Sequence, residues 1–418
     1  MKTKNKNKNK SGFWQFWRTL GPGVITGASD DDPSGITTYT QAGAKFGFAT
    51  LWVMLITFPL MVSIQEMCAR IGLVAKLGLA GVLRKYYTRK ILYVMILFSF
   101  PAITLNIGAN IAGMGAVANL LVPQVPIDVF SLLFTILLLV AIISFPYNKI
   151  AKIMKWFCLT LLLYIMVPFF LNVGWTEIFL ATIKPDFQLT KEYLAVLVAI
   201  LGTTISPYLF FWQASMEVEE VHHKHLIVDK NILKQMRNDV DFGMLFSNFV
   251  AYFIILTAGS VLFEAGITEI STVEQAANAL RPLAGNLAYL FFAIGVIGTG
   301  FLSIPVLAGS LSYIMAETFN WQEGLDKKFY QAKGFYITII VSLLIGLLIP
   351  VLGISPIKAL LYSAIFYGIT APVLIVIILH ICNNQKVMGK YRNGWVSNLF
   401  GGLAFLIMIS ATLAMFIL

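Results

Sequence analysis

Eleven apolar stretches follow one another through this chain of 418 residues, each of about 20 residues and long enough to cross a bilayer as a helix. Only helices and closed barrels satisfy backbone hydrogen bonds in lipid, and barrel strands would be shorter and would alternate polar with apolar residues. Only 12% of residues are charged, against about 25% in soluble proteins. The sequence predicts an all-α membrane protein with spans near 20–47, 49–69, 91–119, 127–146, 153–174, 193–216, 242–263, 284–316, 334–352, 357–382 and 395–417.

Lysine and arginine are divided unequally between the two sides that these spans define. With the N-terminus inside, 25 of the 30 basic residues lie in inside segments and five lie outside. Positive charge concentrates on the cytoplasmic side of membrane proteins, so we expect a cell-membrane protein with a cytoplasmic N-terminus, an outside C-terminus and a prokaryotic source. The net charge of +10 then reflects membrane orientation, and we expect the lipid bilayer, not nucleic acid, as a partner. The sequence does not indicate which proteins are partners.

The first span is interrupted by three consecutive aspartates within Ser29–Gly35, SDDDPSG. Carboxylates at this depth are unfavourable unless a cation compensates them, and the proline and glycine break the helix and free backbone carbonyls. Span 6 has a second interruption at 203–208, TTISPY. Two broken helices five spans apart indicate inverted five-helix repeats with a site between the breaks. The predicted organisation is a basic tail at 1–19 and one transport domain at 20–418, with repeats near 20–175 and 193–382 and an extra helix at 395–417.

The two breaks offer oxygen ligands and contain no histidine, cysteine or methionine. Oxygen ligands suit Mg²⁺, Ca²⁺ and Mn²⁺, whereas sulfur and imidazole favour softer metals. Asp32, beside the proline, is the first candidate ligand, and we expect Asp30 and Asp31 to act mainly as an electrostatic surround. The ion is interpreted as a transported substrate, so no cofactor is predicted. The candidate metal ligands are Asp32, Ser29, Asp31, Gly35, Thr203 and Ser206.

Other titratable side chains are expected to be structural. The acidic and histidine-rich run at 217–225 is interpreted as a solvated helix end within the longest connection, about 217–241. Glu66 in span 2 is expected to snorkel or to pair with Arg70. The cysteines are expected to be buried free thiols, because their spacing fits no disulfide or zinc motif: Cys68, Cys158 and Cys382.

The motifs of span 1 resemble those of the Nramp divalent-metal transporters. That family has the order GPG, DPGN and QAGA, and this chain has GPG at 21–23, DPSG at 32–35 and QAGA at 41–44 with the same spacing. The resemblance implies a LeuT-like fold with eleven transmembrane helices and an inverted 5+5 repeat. It also implies transport of divalent metal ions by alternating access and no enzymatic activity. Further matches are Gln65 with Ala69–Gly72, Phe292–Gly295, and Ser363 with Pro372.

The chain departs from the family pattern at residues that bind soft metals or carry protons. Gly35 and Ser206 stand where the family has asparagine and methionine, and Tyr208 stands where it has a histidine. The family's span 3 carboxylates, tied to proton transport, are missing, with Asn106 and Asn110 in that region. With these departures, the residue pattern of the chain resembles that of the Nramp-related magnesium transporters. This resemblance implies import of Mg²⁺, and also of Mn²⁺, without proton coupling.

Three alternatives stay open beside this interpretation. A proton-coupled Mn²⁺/Fe²⁺ symporter of the same family is the nearest, although the loss of soft ligands disfavours it. A sodium-coupled amino-acid symporter with a LeuT-like fold is the second, but three acids suit an inorganic cation better than a carboxylate substrate. An intramembrane aspartyl protease needs two aspartates on different helices, and spans 3–11 contain no second deep aspartate.

Overall fold

A computed structural model describes residues 21–145, 162–171, 173–351 and 353–417 of the chain. Every regular element in these residues is a helix, which confirms the all-α prediction. Eight of the described helices are long and apolar enough to cross a membrane. Cys68 and Cys382 are buried free thiols as predicted, whereas Cys158 and the predicted basic tail lie outside the described residues.

The described helices follow the predicted spans. Span 1 consists of Pro22–Asp30 and Pro33–Phe46, named here helix 1a and helix 1b, and span 6 consists of Lys191–Thr204 and Pro207–Lys224, named helix 6a and helix 6b. Of span 5, the structure describes Leu162–Met166 and the 3₁₀ turn Val167–Phe170. In chain order, spans 2, 3, 4, 7, 8, 9, 10 and 11 are Leu51–Ala75, Arg89–Leu121, Ile127–Ser144, Lys230–Ala258, Ala288–Phe319, Lys333–Val351, Pro356–Asn383 and Trp395–Ile417.

Short helices occupy several connections where hydropathy alone predicts none. They are Leu79–Tyr86, Trp175–Ile183, Val273–Ala277, Arg281–Ala284 and Gln385–Met388. These segments are too short or too polar to stand out in a search for apolar stretches of membrane length.

The prediction of a long connection at 217–241 is wrong, because most of these residues are helical. Helix 6b continues to Lys224 and span 7 begins at Lys230, which leaves only 225–229 between them. Asp229 caps span 7 by accepting the N–H groups of the second and third residues after it. An N-cap and a charged outer face allow a helix to extend beyond its apolar part.

The interruption of span 1 has a clear local cause. Asp32 is extended (φ −73°, ψ 171°), and its carboxylate accepts the N–H of Gly35 at 2.8 Å, as an N-cap residue does. Pro33 then begins helix 1b at a position where a backbone N–H is not needed. The second break repeats part of this pattern, because Ile205 leaves the helical conformation (φ −113°, ψ 61°) and Pro207 begins helix 6b.

Helix 1a lies against span 7 with the two backbones in contact. A Cβ added to Gly27 would lie 2.1 Å from the carbonyl oxygen of Gly243, so no larger residue fits at this crossing. Asp239 of span 7 closes the N-terminus of helix 1a by accepting the N–H groups of Gly21 at 2.9 Å and Gly23 at 2.6 Å. Helix N-termini favour such a carboxylate because their first N–H groups have no partner within the helix. We call this contact the Asp239 latch.

A second contact at the same membrane side differs from the sequence prediction. Glu66 of span 2 accepts two hydrogen bonds of 3.0 Å from Arg237 of span 7, and Arg70 instead donates to Asn393 at 2.5 Å. The predicted pairing of Glu66 with Arg70 is therefore wrong. The Arg237 guanidinium, on a facing helix, donates to both carboxylate oxygens of Glu66, a favourable geometry for an ion pair. Arg70, one turn along the same helix as Glu66, makes no such contact.

At the other membrane side, the segment before span 8 covers the end of helix 1b. The side chain of Gln41 accepts the N–H of Ile270 at 3.0 Å and donates to the carbonyl of Thr268 at 3.4 Å. Between this cover and the Asp239 latch, the break of span 1 is closed to solvent. The three aspartates at 30–32 are 1%, 1% and 2% exposed.

Replacing Asp239 with alanine should release the start of helix 1a, because the N–H groups of Gly21 and Gly23 lose their acceptor. A cysteine introduced at Ile25, a half-buried position of helix 1a, should then react severalfold faster with a water-soluble maleimide. Asp239→Asn should be intermediate, since its amide oxygen still accepts a hydrogen bond. The matched control is Asp229→Ala, which removes a cap from the same span without touching helix 1a. Equal acceleration in that control would contradict the latch.

Candidate metal site

Asp32 is held by hydrogen bonds from two helices. Its Oδ1 accepts the N–H of Gly35 at 2.8 Å, and its Oδ2 accepts the side-chain amides of Asn106 at 2.9 Å and Asn110 at 2.8 Å, both in span 3. An ionised carboxylate has about four acceptor positions, so these donors occupy three of them. Hydrogen bonds of this kind stabilise the charged form. We call this arrangement the Asp32 clamp.

The Asp32 clamp extends to span 10 through two serines. The hydroxyl of Ser363 lies 3.0 Å from Oδ1 of Asn106 and 3.1 Å from the hydroxyl of Ser34. The Asn106 oxygen therefore faces a hydroxyl, and its amide nitrogen faces Asp32. Sequence reasoning treated Asn106 and Asn110 only as lost carboxylates. Their spacing of four residues places both on one face of a helix. This spacing could have predicted that the two amides contact the same group.

Asp30 and Asp31 face span 7 instead. The hydroxyl of Ser247 lies 2.9 Å from Oδ2 of Asp30 and 3.4 Å from Oδ1 of Asp31. Oδ1 of Asp30 and Oδ2 of Asp31 are buried and have no hydrogen-bond partner among the described residues. The ion pairs found in the described part of the chain involve none of the three aspartates. Sequence reasoning missed Ser247, which carries no motif of its own.

Gly35 lies where the two breaks approach each other. An added Cβ would lie 3.1 Å from Oγ1 of Thr203 and 3.3 Å from the carbonyl oxygen of Asp30. These distances are tight contacts, so even a single added carbon would require the neighbouring atoms to shift. The structure thus brings the predicted ligands Gly35 and Thr203 to the same place as the aspartate run.

Ser206 and Ser29 are close to the site, but their hydroxyls donate to backbone carbonyls of helix 6a and helix 1a. Ser206 donates to the carbonyl of Thr203 at 2.7 Å and lies beside Asp30. Ser29 donates to a carbonyl one turn earlier at 2.8 Å, and its own carbonyl accepts the hydroxyl of Tyr208 at 2.7 Å. This last bond joins the two breaks. Either serine would have to rotate or use its second lone pair to bind a metal ion.

The arrangement of the carboxylates limits the kind of metal site that the breaks can form. Within the ranges that the structure describes, no three His, Cys, Asp or Glu side chains are grouped closely enough to hold one ion. Asp32 points to span 3, whereas Asp30 and Asp31 point to span 7. An ion here would therefore bind at most two carboxylates, with hydroxyls, carbonyls or water as its other ligands. Such a set of oxygen donors is typical of sites for hard divalent cations.

The acidic and histidine-rich run at the end of helix 6b is only partly solvated. His223 is exposed and contacts Asp326 at 2.8 Å, as expected for a solvated helix end. Glu217 is buried and accepts the amide of Gln213 at 2.9 Å, and the Gln213 oxygen accepts the hydroxyl of Thr26 at 2.5 Å. These bonds tie helix 6b to helix 1a below the breaks, which the sequence did not predict.

Comparison with known proteins identifies relatives along nearly the whole chain. A family model described as "Nramp: Natural resistance-associated macrophage protein-like" matches residues 23–418. The divalent metal cation transporter MntH of Verminephrobacter eiseniae is 23% identical over 380 residues, covering 89% of this chain and 83% of that protein. The MntH of Clostridium acetobutylicum is 22% identical over 405 residues, covering 94% of this chain and 88% of that protein.

Solved structures show the same fold at lower sequence identity. The Eremococcus coleocola manganese transporter, in complex with an aromatic bis-isothiourea compound, has a TM-score of 0.77 and 18% identity, covering 98% of this chain and 88% of its own. MhsT in complex with L-phenylalanine has a TM-score of 0.63 and 14% identity, covering 95% of this chain and 98% of its own. The similarity to both structures confirms the predicted LeuT-like fold with broken helices 1 and 6.

Replacing Asn106 or Asn110 with alanine should lower the stability of the purified protein. Each variant loses one amide hydrogen bond to a charged group, which is worth about 1.5–3 kcal/mol. Asn106→Ala should have the larger effect, because it also loses the contact with Ser363. The measurement is the thermal midpoint of unfolding in detergent. Asn119→Ala is the control, since it removes a bond of 2.8 Å to a neutral carbonyl at the end of the same span; an equal loss there would contradict a special role for the Asp32 clamp.

Proposed function

This chain belongs to the Nramp family of divalent metal cation transporters, and we propose that it imports Mg²⁺, and also Mn²⁺, by alternating access without proton coupling. It is a multi-pass membrane protein and a transporter, not an enzyme. The observation that carries the choice of Mg²⁺ is the donor set at the breaks. It consists of carboxylate, hydroxyl and carbonyl oxygens, and the thioether of the family pattern is replaced by Ser206. Hard oxygen ligands favour Mg²⁺ over thiophilic metals.

The proposed ligands are those at the contact between the two breaks. Asp32 keeps one acceptor position that the Asp32 clamp does not use, and the Thr203 hydroxyl and the Asp30 carbonyl both lie close to Gly35. Mg²⁺ gives up its water reluctantly and is usually bound through only one or two carboxylates, which suits a site with few carboxylate ligands. The ligand set that we propose is Asp32, Asp31, Ser29, Gly35, Thr203 and Ser206.

The absence of proton coupling is proposed from the neutral side chains of span 3. Asn106 and Asn110 contact Asp32 directly, and an amide cannot carry a proton through the membrane as a carboxylate can. Uptake does not require such coupling. A divalent cation entering a negative interior gains about 4.6 kcal/mol per 100 mV of membrane potential, twice the value for a single charge.

The proposed orientation follows the distribution of basic residues. The side with the Asp239 latch carries most of the lysines and arginines and would face the cytoplasm, and the cover held by Gln41 would face outside. Import then requires the Gln41 contact to open first and the Asp239 latch to open second. The relatives described above are bacterial proteins, in keeping with a prokaryotic source. The repeats proposed for this alternation are 20–175 and 193–382.

The second candidate is a proton-coupled Mn²⁺/Fe²⁺ symporter. The observation that favours it is the name of the similar solved structure, a manganese transporter. The two candidates differ in one measurable quantity, which is the movement of protons with the metal ion.

Purified protein in liposomes should take up Mg²⁺ and Mn²⁺ without acidifying the interior, because no proton accompanies the ion. Asp32→Ala should abolish uptake, because the ion loses a carboxylate ligand. Asp128→Ala is the control, since this exposed residue at the start of span 4 is far from the breaks in the chain and should leave uptake unchanged. Metal flux and internal pH are recorded with two dyes in the same vesicles. Acidification in proportion to metal flux would favour the proton-coupled candidate.

Ser206→Met should shift selectivity towards softer metals, because it restores a thioether at the second break. We expect the ratio of Cd²⁺ to Mg²⁺ uptake in the same liposomes to rise by about tenfold or more, a change of about 1.4 kcal/mol in relative transition-state binding. Ser206→Leu is the matched control for side-chain size without sulfur. An equal change in both variants would show that volume, and not the thioether, alters selectivity.

A further inference from the structure

We infer that the transported cation has a position of its own on the span 7 face of the break, formed by the free carboxylate oxygens of Asp30 and Asp31 with the hydroxyl of Ser247. The inference rests on the proposed function, because it concerns the path of the same divalent cation. It assigns direct contact with the ion to Asp30 and Ser247, neither of which belongs to the proposed ligand set. It also moves Asp31 from the ligand set around Asp32 to this second position.

The charges at the break support this position. Asp32 has three protein donors and lies at the N-terminus of helix 1b, where the helix dipole favours an anion. Its charge is therefore compensated within the protein. Asp30 and Asp31 have much less compensation: two of their four oxygens have no hydrogen-bond partner among the described residues, the other two share the Ser247 hydroxyl, and the Ser206 hydroxyl beside Asp30 also donates to a carbonyl. One divalent cation would neutralise both charges.

The geometry separates this position from Asp32. Ser247 belongs to span 7, whereas the donors of the Asp32 clamp belong to span 3 and to helix 1b itself. The hydrogen bonds described for Asp32 involve no span 7 residue, whereas Asp30 and Asp31 both contact Ser247, so an ion beside Ser247 would meet the pair at 30–31. The same separation explains why no group of three carboxylates is present in the described part of the chain.

Ser247 is suited to join the two carboxylates. It has one hydroxyl hydrogen, and the shorter distance of 2.9 Å places that hydrogen towards Asp30, which leaves Asp31 with a contact of 3.4 Å. When a cation binds both carboxylates, the serine oxygen still has lone pairs to offer the ion. The hydroxyl of Tyr39 is a further oxygen nearby, fully buried and without a hydrogen-bond partner among the described residues, within electrostatic range of Asp30 and Asp31.

If a side chain binds the ion directly, replacing its oxygen with sulfur should change which metal ion binds best. A side chain that acts only through its charge should not have this effect. We therefore replace Asp30 and Asp31 singly with cysteine and titrate the purified proteins with Cd²⁺. If these side chains bind the ion, each variant should gain at least about tenfold in Cd²⁺ affinity, because thiolate prefers soft metals. Each should also show the ultraviolet charge-transfer band of a cadmium–thiolate bond. Ser260→Cys is the control, since Ser260 is buried on the continuation of span 7 and donates only to a helix carbonyl.

A milder variant tests the same position if the cysteine variants do not fold. Ser247→Ala removes one hydroxyl and should weaken Mn²⁺ binding at equilibrium by about three- to tenfold, the effect of one lost polar contact. Ser260→Ala should leave Mn²⁺ binding unchanged.

The possible outcomes separate this inference from the proposed function. Folded cysteine variants without the band, or Ser247→Ala with the Mn²⁺ affinity of the parent, would overturn the span 7 position even if liposomes take up Mg²⁺. Cadmium–thiolate bands in a protein that takes up Mg²⁺ only with protons would support the position and overturn the proposed mechanism. Bands in Asp30→Cys and Asp31→Cys, with none in Ser260→Cys, are the result that we expect.

Discussion

Asp32 accepts hydrogen bonds from Gly35, Asn106 and Asn110, and this contact joins the break of span 1 to span 3. Without these donors, the carboxylate would be a buried charge with no partner, which is strongly destabilising. With them, it becomes the cap from which helix 1b begins. Asp30, the last residue of helix 1a, faces span 7 because helix 1a packs against that span. The break therefore separates a carboxylate held by span 3 from two that face span 7.

The features that the sequence predicts well are those encoded in continuous patterns. Apolar stretches of about 20 residues locate the spans, and proline beside polar residues locates both breaks, at Pro33 and Pro207. The first interruption could also be placed to the residue, because the N-cap preference of aspartate and the N1 preference of proline are local properties. The family resemblance added the LeuT-like fold, which no local pattern contains.

The features that the sequence does not predict depend on which helices face each other. Glu66 pairs with Arg237 of another span, and not with Arg70 one turn away, because tertiary packing decides between two equally basic partners. The different directions of Asp32 and Asp31 could not be predicted for the same reason, since a helix break removes the regular 100° step between side chains. Ser247 had no signal at all, because a single serine in an apolar helix is common and becomes meaningful only beside two acids.

Span 7 presents Asp239, Gly243 and Ser247 at intervals of four residues, so all three lie along one face of the helix. The first holds the start of helix 1a, the second touches its backbone and the third contacts the acids at its end. The first and third are separated by about 12 Å along the helix axis. Span 7 therefore contacts helix 1a along its whole length, from the first N–H groups to the acids at its end. If the ion binds at those acids and the helices separate at the Asp239 latch, as proposed above, both events act on the same helix pair.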